Sequence, residues 1–207
     1  MNHKIAVLGT GPGGAEYILP VTMKIAAEAD VLVGGKRALT PFAHLNKKTL
    51  HLTSDLSDLA PRLRELAREQ KVAVLVSGDP GFYSLLVWLR RHFSAAELDV
   101  FPGLSSVQVA FARLGEPWQD AALLSAHGRD GTRLLPLLLA AGKKAILTDR
   151  VWTPRRLAEM ILGAGGRDAK VALCRRLTTP REEVTLSRLS ALDGSEEGDC
   201  VMVILDE

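Results

Sequence analysis

The sequence has little cysteine, few aromatic side chains and almost no net charge. Among its 207 residues there are 2 cysteines, aromatics make up 5%, and the formal charge is +2. The cysteines, Cys174 and Cys200, lie far apart in separate apolar runs and form no C-x-x-C. They read as buried thiols in strands, not as a redox pair or a disulfide framework. Sparse aromatics leave little material for base stacking. The scattered Lys and Arg form no basic stripe, so no nucleic-acid partner is expected. No apolar segment approaches the roughly 20 residues that span a bilayer, so no membrane partner is expected either. Nor does the start of the chain carry a secretory hydrophobic region, which leaves a cytoplasmic location as the expectation. Neither H-E-x-x-H nor paired Cys/His spacing occurs, so no protein-bound metal is expected. The phosphate-gripping G-x-x-x-x-G-K-S/T and the nucleophile elbow G-x-S-x-G are also missing.

What remains is an ordinary composition, 47% hydrophobic and 24% charged, with strand and helix patterns in alternation. Residues 72–76 (VAVLV) form a short unbroken apolar run that meets Ser77-Gly78-Asp79-Pro80-Gly81. Such a run suits a strand buried on both faces, as in a parallel sheet. Further strands are expected at 4–9, 31–33, 49–53, 98–101, 121–125, 144–148, 169–174, 183–187 and 200–205. Helices are expected at 20–29, 55–69 (capped by Ser54 or Asp55), 84–92, 107–114, 134–140 and 154–162. Gly115 to Asp120 contains Gly, Pro and polar residues and reads as a linker. The expectation is two α/β domains, 1–115 and 120–207, each a mostly parallel sheet flanked by helices.

Three glycine-bearing turns follow strands in the first half: 9–14, 77–81 and 102–106. If the strands are parallel, all three share the carboxyl edge, where ligands bind in open α/β sheets. The first turn matches G-x-G-x-x-G through Gly9, Gly11 and Gly14. A dinucleotide fingerprint opens its helix on those last glycines. Here Pro20 is the natural first helical residue, and Asp30 precedes the second strand when a ribose-binding acid should end it. Ser105 and Ser106 read equally as helix caps or as ligand contacts. In the second half His127 and Arg129 flank Gly128 at a strand end. A histidine there can carry a proton, and an arginine can clamp a carboxylate. A loop histidine with a solvated arginine reads as well. Arg175, Arg176 and Arg181 present the same choice.

Taken together, the motifs resemble the tetrapyrrole methylase family. Its opening G-x-G-P-G is present as Gly9-Thr10-Gly11-Pro12-Gly13, its G-D-P as Gly78-Asp79-Pro80, and its P-G-x-S/T-S/A as Pro102-Gly103-Leu104-Ser105-Ser106. Order and separations agree along essentially the whole chain. Ser125-Ala126-His127-Gly128-Arg129 is similar to the S-x-H-G-R of the subfamily that methylates carbon 5 of cobalt-precorrin-7 or precorrin-7 in cobalamin synthesis. The chain ends at Glu207 and so resembles the stand-alone form, without a fused C15-methyltransferase domain. One departure stands in the first loop. Gly14 and Leu19-Pro20 occupy positions where the family often has an acid and Leu-Thr.

The resemblance implies the tetrapyrrole methylase fold of two α/β domains, with S-adenosyl-L-methionine bound in the cleft between them, and a homodimer. It places the donor near Pro12, Ser77, Gly78, Asp79, Phe82, Ser105 and Ser106, with Asp79 at its polar end. In the second domain it points to Thr148 or Asp149, Leu177 and Cys200. The substrate it implies is a tetrapyrrole carrying several carboxylates, for which Arg129, Lys36, Arg37 and Arg150 are clamps. His127 is the candidate base, and hand-over to corrin-pathway enzymes such as the C15-methyltransferase follows. Other readings are a sister methylase acting on another precorrin carbon or an rRNA ribose, a nicotinamide-dependent oxidoreductase, and a non-catalytic tetrapyrrole or nucleotide carrier.

Overall fold

The computed structural model describes residues 3–194 and 199–205. The chain divides into two compact units, Met1–Ser105 and Ser106–Glu207.

The first unit is built on a five-stranded sheet of β1 (Ile5–Gly9), β2 (Val31–Gly34), β3 (Lys48–His51), β4 (Val72–Val76) and β5 (Leu98–Phe101). Their order is β3-β2-β4-β1-β5, and every neighbouring pair is parallel. Among its described residues are the α-helices α1 (Pro20–Glu28), α2 (Lys36–Leu39), α3 (Leu59–Leu66) and α4 (Leu86–His92). One sheet face, with Val7, Val33, Val72, Val74 and Val76, packs on Leu59, Leu63, Leu89 and Phe93 of α3, α4 and the segment after it. The other, with Leu8, Leu32, Ala73 and Leu75, packs on Ala26, Ala38, Leu39 and Phe42. This double burial is why β4 is apolar at every position, since both faces of its side-chain alternation meet a helix layer. Each fully buried leucine or valine there contributes about 2 kcal/mol of burial free energy.

Helix α1 has no side-chain cap and starts on Pro20, whose fixed φ suits a first helical residue. Residues Ala15–Tyr17 between the glycine loop and α1 form a separate 3-10 turn. Asp30 lies at the amino end of β2, where its Oδ2 accepts the Lys71 N–H at 2.8 Å. A late helix start and an acid at the wrong sheet edge together exclude the nicotinamide reading. Helix α3 begins four residues later than expected, with Asp58 as its N-cap residue. The Asp55 carboxylate is drawn into a tight turn, accepting the Ser57 N–H at 2.9 Å, so neither it nor Ser54 caps a helix.

The second unit opens with α5 (Ser106–Leu114) and contains β6 (Ala122–Ser125), α6 (Leu135–Leu139), β7 (Lys144–Leu147), α7 (Pro154–Gly163), β8 (Lys170–Arg175), β9 (Glu183–Arg188) and β10 (Val201–Ile204). The division falls ahead of α5. The reason is that α5 buries Val107, Val109, Ala110 and Phe111 and packs against β10. The sheet order is β6-β7-β10-β8-β9. Strands β6 and β7 are parallel, whereas β10 is antiparallel to both β7 and β8, and β9 is antiparallel to β8. Three of the five strands therefore share one direction, while β9 and β10 run the other way. A parallel return needs a crossover of a dozen or more residues. Only residues 176–182 join β8 to β9, so the chain turns straight back. Helix α7 shows how sequence sets packing here. Thr153 caps it by accepting the Arg156 N–H at 3.2 Å, and Pro154 opens it. Leu157, Ala158 and Ile161 then fall on one face against Ile146, Val171, Leu173 and Met202.

Among the described residues no helix is long and apolar enough to cross a membrane. Two glycines make opposite predictions. A Cβ on Gly103 would lie 2.4 Å from the Gly78 carbonyl oxygen and 2.8 Å from the Gly9 carbonyl carbon. Gly103→Ala is therefore expected to destabilise by about 3 kcal/mol through backbone overpacking. A Cβ on Gly163, in the last turn of α7, meets nothing within 4 Å. Gly163→Ala is expected to stabilise by about 0.5 kcal/mol. Urea midpoints of the two variants against the parent check both signs.

Candidate active site

Because β1, β4 and β5 are adjacent and parallel, their three glycine turns emerge side by side at the carboxyl edge of the first sheet. The turns touch through their main chains. Gly78 N–H donates to the Gly11 carbonyl at 2.8 Å and Gly11 N–H to the Gly78 carbonyl at 3.4 Å, an isolated bridge between the first two loops. Gly9 and Gly103 sit so close that a Cβ on Gly9 would lie 2.5 Å from the Gly103 nitrogen. Asp79 ties the loops further. Its Oδ1 accepts the Gly81 N–H at 2.7 Å and its Oδ2 the Gly103 N–H at 3.1 Å. Both carboxylate oxygens therefore hold backbone, one in the β4 turn and one in the β5 turn.

Threonines anchor the same edge from below. Thr10 donates from N–H and Oγ1 to the Val76 carbonyl, at 2.9 and 3.1 Å. Buried Thr22 on α1 donates its hydroxyl to the Gly9 carbonyl at 3.2 Å. Arg37 on α2 donates to the Pro12 carbonyl at 2.7 Å. Pro12 and Ser105 are buried, Ser77 is exposed, and Phe82 meets exposed Tyr83 edge-on at a centroid distance of 5.0 Å. Tyr83 adopts φ 48°, a left-handed conformation that a tyrosine seldom takes. The edge thus carries an aromatic pair beside loops whose main chains are bonded to one another.

At the second sheet, β6, β7 and β8 end on one edge, and β10 begins there. Four stretches remote in sequence meet as a result. Thr148 and Cys200 exchange backbone bonds at 3.1 and 3.2 Å, the latter through the Thr148 hydroxyl, and the Cys200 thiol lies 3.3 Å from the same hydroxyl. His127 places Nδ1 3.2 Å from the Thr148 carbonyl oxygen and 3.8 Å from Asp199 Oδ1. Asp149 is enclosed by N–H groups. Its Oδ1 accepts from Val151 and Trp152 at 2.8 and 2.7 Å, and its Oδ2 from Gly128 at 2.8 Å. Burial pushes the Asp149 carboxyl up. The N–H groups of Trp152, Gly128 and Val151, together with nearby His127, more than offset this, so it titrates below the ordinary aspartate range.

The β8–β9 loop carries Arg176 and Thr178 at φ 47° and 64°, strained positions for side chains with a Cβ. Glu182 holds that loop by accepting the Thr178 N–H while pairing with Arg113 of α5. The Arg113 guanidinium is the main cause of its lowered pKa, with burial opposing and the Thr178 N–H assisting. Among the described residues no three His, Cys, Asp or Glu side chains gather as a metal site would need.

The model of the tetrapyrrole (corrin/porphyrin) methylases matches residues 4–193. The chain belongs to that family. A cobalt-precorrin-7 C(5)-methyltransferase of Salmonella typhimurium is 31% identical over 203 residues, 98% of this chain and 99% of the relative. The crystal structure of a cobalamin-biosynthesis precorrin-6Y methylase from Archaeoglobus fulgidus is similar with a TM-score of 0.76 at 26% identity, covering 99% of this chain and 98% of that one. A uroporphyrin-III C-methyltransferase of Thermus thermophilus, complexed with S-adenyl homocysteine, shares the fold at a TM-score of 0.78 and 20% identity, over 98% of this chain and 92% of that one.

Within this tetrapyrrole methylase, Pro12, Ser77, Gly78, Asp79 and Ser105 lie in the first unit's three turns, and Phe82 directly follows the second. Ser106 opens α5. Thr148, Asp149, Leu177 and Cys200 lie at the second sheet's edge with His127 and Arg129. Thr148, Leu177 and Cys200 are buried, and the Asp149 oxygens already hold three N–H groups. Their side chains help to build that edge. Lys36 and Arg150 are exposed at strand-following positions. Arg37, expected among the clamps, is exposed and donates to the Pro12 carbonyl. Sequence reasoning missed Thr22, Glu182 and Trp152. A threonine inside an apolar helix face was a readable signal for the first. The last shows only in space, where the indole lies against Gly131 so closely that a Cβ there would be 2.5 Å away.

Two predictions follow from these bonds. Asp79→Ala strands the Gly81 and Gly103 N–H groups, so it should lower stability by about 2 kcal/mol as well as weaken ligand binding. Denaturant titration beside calorimetric binding separates the two effects, and Asp79→Asn, which keeps one acceptor, should fall between. The Asp149 carboxyl has a lower pKa folded than unfolded. Its contribution is complete above the unfolded value of about 3.9 and is lost as pH falls through the folded one. The stability gap between the parent and Asp149→Asn should therefore be widest near neutrality and shrink on acidification below about pH 4, as thermal melts across that range will read.

Proposed function

We propose that this methylase transfers a methyl group from S-adenosyl-L-methionine to carbon 5 of cobalt-precorrin-7 or precorrin-7. The observation that carries the reading is the meeting of the S-x-H-G-R loop, residues 125–129, with Asp149 and Thr148 at one sheet edge. It is supported by 31% identity, end to end, to a relative named for that reaction. When bound, the donor supplies an electrophilic methyl: the ring carbon's π pair forms the new C–C bond, and the C–S pair returns to sulfur.

The chain's residues then have three tasks. The turns carrying Pro12, Ser77, Gly78, Phe82 and Ser105 hold the donor through main-chain groups and the Phe82–Tyr83 pair, and Asp79 keeps those turns in register. Exposed Arg129, Lys36 and Arg150 meet the acid groups of a tetrapyrrole as bidentate or point-charge partners. His127, with its side chain 63% exposed, takes up the proton that the methylated carbon releases. Because sulfonium is already a good leaving group, alignment of the two partners supplies most of the rate. A backbone-built site with few reactive side chains serves that need.

Within this reading the enzyme works as a cytoplasmic homodimer without a protein-bound metal, and passes its product to a C15-methyltransferase. Light scattering on the full chain checks the first point. The decisive assay is incubation with methyl-labelled S-adenosylmethionine and precorrin-7, with and without cobalt, followed by mass analysis of the ring. One added methyl at carbon 5 is expected on at least one form. Methylation of a different carbon would make it a sister methylase, and donor binding without turnover would make it a carrier.

A further inference from the structure

His127 has two ring nitrogens, and its surroundings distinguish them. Nδ1 lies 3.2 Å from the Thr148 carbonyl oxygen. A carbonyl oxygen only accepts, so the neutral ring must carry its proton on Nδ1 to satisfy it. The Asp199 carboxylate, 3.8 Å from the same nitrogen, favours a proton there too. Nε2 is then the nitrogen with the lone pair.

The frame around the ring is fixed on every side that the geometry defines. The Thr148 carbonyl is steadied by the Thr148–Cys200 bonds. The His127 N–H donates to the Leu147 carbonyl at 3.2 Å. Its neighbour Gly128 donates to Asp149 Oδ2 at 2.8 Å, at φ +64° with open space around its Cα. Four residues on from His127, Gly131 rests against the Trp152 indole, and the Trp152 backbone N–H donates to Asp149 Oδ1. Asp149 therefore grips both the histidine loop and the turn on which that loop leans.

We propose that Asp149 and the Thr148 carbonyl are positioning groups that hold His127 as the Nδ1–H tautomer, which makes Nε2 the proton acceptor. The inference rests on the methylase reading for what the acceptor is used on. In the step, the C–H bond at the methylated ring carbon breaks and its electron pair returns to the macrocycle. The proton goes to Nε2, giving an imidazolium whose Nδ1–H still faces Thr148 and Asp199.

The test has a readout independent of turnover. Full-length protein with 15N-labelled histidine is examined by long-range proton–nitrogen correlation at about pH 8.5, above ordinary histidine titration. The His127 signals are assigned by their loss in His127→Gln. A fixed Nδ1–H pattern is expected in the parent and a tautomer-averaged one in Asp149→Ala. With precorrin-7, His127→Gln should lower kcat about 100-fold and Asp149→Ala about ten-fold, with the donor KM changed less than about two-fold.

An Nε2–H or averaged pattern in the parent overturns the proposal, as does an unchanged kcat in His127→Gln. If Asp149→Ala fails to fold, Asp149→Asn and the parent spectrum decide the matter. An Asn spectrum identical to the parent's overturns the part assigned to Asp149. Methyl transfer by the parent with the wrong tautomer refutes this inference alone. The right tautomer with no methyl transfer refutes the methylase reading and the acceptor role with it.

Discussion

Everything at the carboxyl edge of the first unit depends on three backbones meeting without side chains between them. Gly9, Gly78 and Gly103 approach so closely that no Cβ fits on Gly9 or Gly103, and Asp79 fastens the contact by accepting an N–H from each of two loops. That arrangement explains the restricted composition of all three turns more directly than ligand contact does. A glycine kept for close approach and an aspartate kept for its two backbone bonds would be needed in an empty edge as well as a filled one. Binding is then a consequence of order, because the loops present the same main-chain groups before any ligand arrives.

The second unit reaches a similar result by different means. Its edge has few close backbone contacts and instead uses carboxylates as hubs. Asp149 gathers three N–H groups, and Glu182 gathers the Thr178 N–H and the Arg113 guanidinium. Both titrate below their usual range for that reason. Around them sit the strained Arg176 and Thr178 and the exposed His127. Strain and stored hydrogen-bond capacity concentrate where the sheet ends, as they do at sites that must hold a fixed shape.

Much of the first unit was legible because parallel strands buried on both faces leave an unmistakable apolar run. VAVLV at 72–76 could be little else, and Pro20 marked the helix start to the residue. Strand direction in the second unit was not legible. Residues 183–188 read as an extended segment, but whether it returns parallel or antiparallel depends on what lies between, and residues 176–182 carry no periodic signal. The family resemblance named Asp79, Asp149, Thr148 and Arg37, which the structure places at the sheet edges. Their hydrogen-bond partners are main-chain groups brought close only by folding, and no spacing rule reports those. Trp152 and Glu182 escaped for the same reason.

The place of β10 in its sheet has a consequence for how the protein is made. This strand comes latest in the described sequence, yet it lies in the middle, between β7 and β8. Until it is synthesised, β6–β7 and β8–β9 are two separate pairs with no strand to join them. A nascent chain can assemble the first unit's five-stranded sheet while the second is still on the ribosome. The histidine loop, in contrast, has no Cys200 or Asp199 beneath it until β10 emerges. The two halves of this enzyme are thus completed at different moments of translation, and the half bearing His127 is the last to take shape.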